Sequence, residues 1–136
     1  MSAVFEALGI SGSGLTVHQK WLDAISDNIA NINTVRPMGQ TAFQARYVVA
    51  AALENGGTGA GVTVAGIELG DPEGRLVYQP DHPLADKKTG LVRLPAVDLG
   101  EQMTTMVMAQ RGYQANISNL DRVRETYQAA IQMGRG

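Results

Sequence analysis

The residues best suited to chemistry lie in two short stretches. His82 sits between Asp81 and Asp86 in the segment Pro80-Asp81-His82-Pro83-Leu84-Ala85-Asp86, an arrangement that could serve a metal ion or an acid–base pair. One imidazole with two loop carboxylates lacks the third nitrogen or thiolate ligand typical of zinc, and His18 is far off in the chain. A Ser-His-Asp hydrolase would need a positioned nucleophile, and no G-x-S-x-G elbow is present. The second stretch is Gly56-Gly57-Thr58-Gly59-Ala60-Gly61. Its spacing is not G-x-G-x-x-G, no Lys-Ser/Thr follows, and it leads into a strand instead of a helix N-terminus that could hold a phosphate. Asn116-Ile117-Ser118 matches a glycosylation acceptor but falls within a helical pattern. No catalytic, cofactor-binding or metal-ligating residue is therefore expected, and the alternative is a small binding module or hydrolase using the His82/Asp86 loop.

The elements around these stretches carry more information. The chain has 136 residues, 44% of them hydrophobic, which suits one domain with a core. A formal charge of −2, from 11 basic and 13 acidic residues, supplies no electrostatic reason to bind nucleic acid. There is no cysteine, so disulfides and thiolate chemistry are excluded. No apolar run approaches the ~20 residues of a membrane span. Met1-Ser2-Ala3-Val4-Phe5-Glu6 has neither the basic region nor the apolar core of a cleavable secretion signal, and export, if it occurs, is expected to leave this end intact.

Two long helical patterns enclose a turn-rich middle. Over residues 4–32, Val4, Leu8, Ser11, Leu15, His18, Leu22, Ile25, Ile29 and Ile32 recur at alternating spacings of three and four, and seven of the nine are apolar. This is the stripe of a helix of ~45 Å that faces another helix. Gly9, Gly12 and Gly14 weaken its first half, at about 1 kcal/mol each relative to alanine. Two expectations follow: a flexible lead-in with the helix starting near Thr16, or a segment that becomes helical only among other subunits. Asn33 and Pro37 place the helix end between Asn31 and Val35. Asn28 and Asn31 share a face and could tie the helix end to the middle region or to another chain, although spacing alone leaves them facing water.

Phe43–Ala52 reads as one strand and Val62–Leu69 as its partner, with Arg75–Tyr78 and Leu91–Leu94 as shorter strands. Asp98, three residues before Glu101, caps a second helix that runs to about Met133. Along it Met106, Ala109, Tyr113, Asn116, Leu120, Val123, Tyr127 and Ala130 repeat the same spacing, while Met103, Ile117 and Ile131 widen the apolar face enough to touch more than one neighbour. The expected fold is α+β: terminal helices paired antiparallel as a coiled coil, residues 1–35 with 98–136, around a β-rich middle of residues 36–97.

At this point the residues carry a resemblance. Gly9-Ile10-Ser11-Gly12-Ser13-Gly14-Leu15, followed by Ser26-Asp27-Asn28-Ile29-Ala30-Asn31-Ile32-Asn33-Thr34, resembles the N-terminal signature of bacterial flagellar rod and hook proteins. Tyr78–Asp86, Gly90-Leu91-Val92, Leu94–Asp98 and Ala109-Gln110-Arg111-Gly112-Tyr113-Gln114-Ala115-Asn116 narrow it to the short proximal-rod members. The chain departs from the family pattern at Leu91 and at Ala96. The resemblance implies a non-enzymatic subunit of the basal-body rod that polymerises helically, encloses the export channel and transmits torque. Its implied partners are copies of itself, proximal and distal rod subunits, the basal-body adaptor protein and the flagellar type III export apparatus; another rod subunit of the same family is the near alternative. Assembly is then expected to use Leu8, Leu15, Leu22, Ile25, Ile29, Ile32, Met106, Leu120, Val123 and Tyr127, with the motif positions Asn28, Asn31, Asn33, Arg111, Tyr113 and Asn116.

Overall fold

The computed structural model describes residues 2–136. Helix α1 spans Ser2–Ala30 and helix α2 spans Leu99–Gly134; between them lie strands β1 (Arg46–Asn55), β2 (Thr58–Leu69), β3 (Arg75–Tyr78) and β4 (Leu91–Leu94). The fold is α+β, with long helices at both ends and antiparallel strands in the middle.

The helices run antiparallel in a single register, marked by Asn28 against Gln102, Gly14 against Asn116, His18 against Gly112 and Phe5 against Tyr127. Burial on α2 follows the seven-residue repeat: Gln102 and Ala109 are buried, and Met106, Tyr113, Asn116, Leu120, Val123 and Tyr127 are half-buried, with exposed positions between them. On α1 Ile25 is buried, and Leu8, Leu15, Leu22 and Ile29 are half-buried, as is Ile32 in the turn that follows. The helix continues from Ser2 through Gly9, Gly12 and Gly14, so it starts well before Thr16. Pairing of an amphipathic face outweighs the propensity cost of the three glycines.

Close approach of the helices depends on a reciprocal contact at mid-length. Gly14 is buried, and a Cβ built there would lie 2.7 Å from Asn116 Oδ1; one built at Gly112 would run into the His18 imidazole, with Cδ2 at 2.5 Å. Each polar side chain also bonds back along its own helix: His18 Nδ1 lies 2.7 Å from Gly14 O, and the Asn116 amide donates to Gly112 O at 3.0 Å. The carbonyl can only accept, so Nδ1 is the donor in this contact, and Nε2 faces Gly112. A glycine on each helix receives the side chain that stands one turn beyond the glycine of the other.

The middle consists of two separate hairpins. β1 and β2 pair from Arg46↔Leu69 to Asn55↔Thr58 with register shifts at Val49/Ala50 and Leu53/Glu54. β1 is shifted three residues along from the expected Phe43–Ala52, and β2 is longer than expected, because only Gly56 and Gly57 of the glycine-rich run form the turn, with φ of 62° and 85°. The hairpin lies along α1, with Val62, Val64 and Ile67 near Ser13, Val17 and Lys20, and the Ser13 hydroxyl accepts the Val62 N–H at 3.0 Å. β3 and β4 occupy the predicted residues and pair from Arg75↔Leu94 to Tyr78↔Leu91. They are held by the stretch that follows α1: Arg36 and Arg93 exchange backbone hydrogen bonds at 2.8 Å, and the Arg93 guanidinium donates to Glu73 Oε2 at 2.8 Å and to Met38 O at 3.2 Å. Val92, Leu94, Pro95, Ala42 and Ala45 form the small core there.

The glycines of α1 and α2 should separate by environment. Nothing lies within 4 Å of a Cβ at Gly12. Gly12→Ala is therefore expected to stabilise the chain by about 1 kcal/mol through helix propensity. At Gly112 the same gain is opposed by an overpacking cost of about 1–3 kcal/mol, so Gly112→Ala should lower the midpoint of a thermal melt that Gly12→Ala raises.

Candidate functional site

The point where α1, β1 and α2 meet is Asn28, in the last turn of α1. Its relative exposure is 1%, which makes it one of the largest fully buried side chains in the protein. An unpaired amide at that depth would cost a few kcal/mol, and here each polar atom is used. Asn28 Oδ1 accepts the Arg46 N–H at 2.8 Å, and Nδ2 donates to Arg46 O at 3.0 Å. The amide thus bonds the first residue of β1 as the peptide of a third strand would. Its second N–H reaches Gln102 Oε1 at 3.0 Å, on the first turn of α2. The expectation that Asn28 faces water is overturned, and its physical reason is that two partners, 18 and 74 residues away, converge on it.

Local features aim these groups. Asn31 Nδ2 donates to Asp27 O at 2.9 Å and to Asp27 Oδ1 at 3.2 Å, and Thr34 Oγ1 donates to Asn31 Oδ1 at 3.2 Å. This cap ends the helix at Ala30 and turns the chain through residues 31–33. Arg46 is further tied to α1 by an ion pair to Asp27 at 3.1 Å, partly exposed and worth little alone. At the other end of the joint Asp98 accepts the Glu101 N–H at 2.7 Å and starts α2 so that Gln102 points inward.

Asn28 and Ile25 are buried inside the helix pair, with Leu8, Leu15, Leu22, Ile29, Met106, Tyr113, Asn116, Leu120, Val123 and Tyr127 along its half-buried margin and Ile32 half-buried just past the end of α1. Asn33 and Arg111 are exposed on the single chain. Sequence reasoning missed Gln102, although it stands seven residues before Ala109, and it missed Val17 and Ala24, buried at 7% exposure each. Val17 belongs to a second stripe with Ile10 and Ser13, whose mixed polarity conceals its contact with the hairpin.

The His82 loop contains turn hydrogen bonds. His82 Nδ1 accepts the Leu84 N–H at 3.1 Å, and Asp86 Oδ1 accepts from Thr89 N at 2.8 Å, Thr89 Oγ1 at 3.0 Å and Lys88 N at 2.9 Å. Among the described residues no group of three or more His, Asp or Glu could hold a metal ion, and no helix is long and apolar enough to cross a membrane. The opposite surface character dominates: Phe5, Ile10, Met103, Val107, Met108 and Ile117 are large apolar side chains left exposed on the helix pair.

Paired terminal helices with uncovered apolar faces, joined through an asparagine to a strand-rich middle, define a subunit built for assembly. Two family models match its ends: one described as "Flagella basal body rod protein" covers residues 8–37, and one described as "Flagellar basal body rod FlgEFG protein C-terminal" covers residues 88–133. The class is thus that of the flagellar rod proteins. Among similar proteins named "Flagellar basal-body rod protein FlgC", that of Borreliella burgdorferi is 33% identical over 98% of this chain and 99% of its own length. That of Escherichia coli O157:H7 is 35% identical over the same shares, and that of Yersinia enterocolitica 37% identical over 93% and 94%. The chain belongs to the FlgC family of flagellar basal-body rod proteins.

Replacing Asn28 by alanine strands the Arg46 N–H and the acceptors on Arg46 and Gln102. At about 1–3 kcal/mol for each buried group left unpaired, Asn28→Ala should cost about 3 kcal/mol or more, well above the ~1 kcal/mol expected for loss of the Asn31 cap in Asn31→Ala, as read by urea denaturation. In the His82 loop, the N–H and hydroxyl of Thr89 and the N–H of Lys88 hold the Asp86 carboxyl below its ordinary range. The loop is therefore supported above the ordinary carboxylate pKa and loses that support as pH falls through the lower, folded value. An NMR titration should find the Asp86 midpoint below that of a model peptide, with Lys88 and Thr89 amide exchange accelerating only beneath it.

Proposed function

We propose that this chain is a structural subunit of the flagellar basal-body rod that polymerises helically, its paired termini lining a tube around the export channel while the two hairpins pack outside and between subunits. The observation that carries this reading is the antiparallel pairing of the two ends, with Phe5, Ile10, Met103, Val107 and Ile117 uncovered along the pair. A two-helix pair has too little width to bury all its apolar faces, and contacts that repeat without closing into a ring extend into a helical tube. Copies of itself and neighbouring proximal and distal rod subunits, with the basal-body adaptor protein at the base, supply the missing cover.

The work of such a part is mechanical: it transmits torque through stiff packing, and no catalytic residue is required. The similar proteins are named for a rod, which supports a structural role. Delivery through the flagellar type III export apparatus without a cleaved signal fits this reading, and the reading assigns Asn33 and Arg111, exposed on the single chain, to contacts between subunits.

The test separates folding from assembly. Met103→Lys and Ile117→Lys replace exposed side chains and should leave the stability of the isolated chain within about 0.5 kcal/mol. In cells lacking the native subunit, each variant should nevertheless fail to restore swimming, and electron microscopy of purified basal bodies should show truncated rods. A tagged wild-type chain missing from those basal bodies would overturn the assignment.

A further inference from the structure

The tip of the β1–β2 hairpin carries chemistry that the rod does not use. The chain has six asparagines, and five are followed by bulky side chains: Ile29, Ile32, Thr34, Ile117 and Leu120. Asn55 alone is followed by glycine, Gly56. A side chain on the following residue obstructs attack by its backbone nitrogen on the asparagine amide, and glycine offers no such obstruction.

The structure sets the rest of the requirement. Asn55 pairs with Thr58 as the last rung of the ladder, and Gly56 and Gly57 are the two turn residues, both at positive φ. In a two-residue turn of this kind the ladder is closed by the flanking residues, so the Gly56 N–H is free of it. Both Asn55 and Gly56 are exposed, and nothing lies within 4 Å of a Cβ at Gly56. The extended backbone of Asn55 holds its amide away from the next nitrogen, so the terminal rung must open before they meet. That rung and Glu54↔Gly59 lie beyond the register shift at Leu53/Glu54, among exposed residues, where opening is cheapest.

We infer that Asn55-Gly56 is a self-modifying site, at which the hairpin tip converts to an aspartyl or isoaspartyl linkage without enzyme or cofactor. Base removes the Gly56 amide proton, and the nitrogen attacks Asn55 Cγ. The new N–Cγ bond closes a five-membered imide as the Cγ–Nδ2 bond breaks and ammonia leaves with a proton from solvent. Water then adds at one imide carbonyl and the ring opens. Opening one way gives aspartate; opening the other gives isoaspartate, with an extra backbone methylene that cannot pair with Thr58 in the same register. Either product adds a carboxylate beside Glu54 and makes the chain one unit more negative than its formal −2.

Tryptic cleavage after Arg46 and Arg75 isolates residues 47–75, in which Asn55 is the only asparagine and no glutamine occurs. After incubation of the whole chain in warm neutral buffer, this peptide should gain one dalton and split into two chromatographic species, one of them a substrate for isoaspartyl methyltransferase. Asn55→Gln, a surface change whose longer side chain could close only a six-membered ring and far more slowly, should abolish the gain. Urea below the unfolding transition should speed it several-fold by opening the terminal rung. An unchanged mass for residues 47–75, or gains confined to peptides carrying Asn31, Asn33 or Asn116, would overturn the proposal, and a rate indifferent to urea would overturn the requirement for opening.

Discussion

The structure depends on one amide. A buried asparagine with no partners would disfavour the fold by more than any single surface contact could recover, so the chain must bring three hydrogen-bonding groups to Asn28. Meeting that demand fixes where α1 stops, where β1 starts and where α2 enters. The Asn31 cap directs the chain away from the helix axis, the Arg46 backbone then receives the amide edge-on, and the Asp98 cap brings Gln102 inward from the opposite end. A hydrophobic residue at this position would fill the space yet accept many relative placements of the three elements. The amide accepts one.

The same logic recurs at mid-length of the helix pair. Leucine and valine layers in a long antiparallel seam tolerate slippage by a heptad, because each layer resembles the next. The reciprocal seating of His18 on Gly112 and Asn116 on Gly14 has no equivalent one heptad away, so it distinguishes the native register from its neighbours. Toward the termini the polar layers give way to Val4, Leu8, Leu120, Val123 and Tyr127, which are only half-buried. The pair is therefore best specified near the joint and least covered at its far end, a gradient suited to a subunit whose outer surface is completed by others.

Much of this was legible in the chain. The seven-residue repeats located both helices, Asp98 with Glu101 marked the start of α2, and Arg75–Tyr78 and Leu91–Leu94 were read at their observed bounds. These features are local or periodic. What could not be read was decided by distant groups. The partners of Asn28 stand 18 and 74 residues away, and no spacing within α1 reveals them. Gly14 looked like a weakness because helix propensity counts only what glycine lacks; its use lies in the Asn116 side chain that it admits. Thr58–Gly61 read as a loop from composition but extends β2, since pairing with Leu53–Asn55 compensates for residues of poor strand propensity. The rod assignment itself came from motif resemblance, because a mechanical part carries no chemical signature.

The antiparallel register also orders events in time. The contact between Asn28 and Gln102 closes a loop of 74 residues, and that between His18 and Asn116 one of 98. Closing the first costs most of the chain entropy, because the cost grows only logarithmically with loop length, and each later layer adds little once the joint is made. The hairpins are local and form early; the helix pair closes last, zipping from the joint outward to the two termini. Opening runs in reverse. The ends of the chain come apart first and the joint last, so the half-buried layers beyond the Ser13–Val62 contact can be released and re-formed while the joint stays closed.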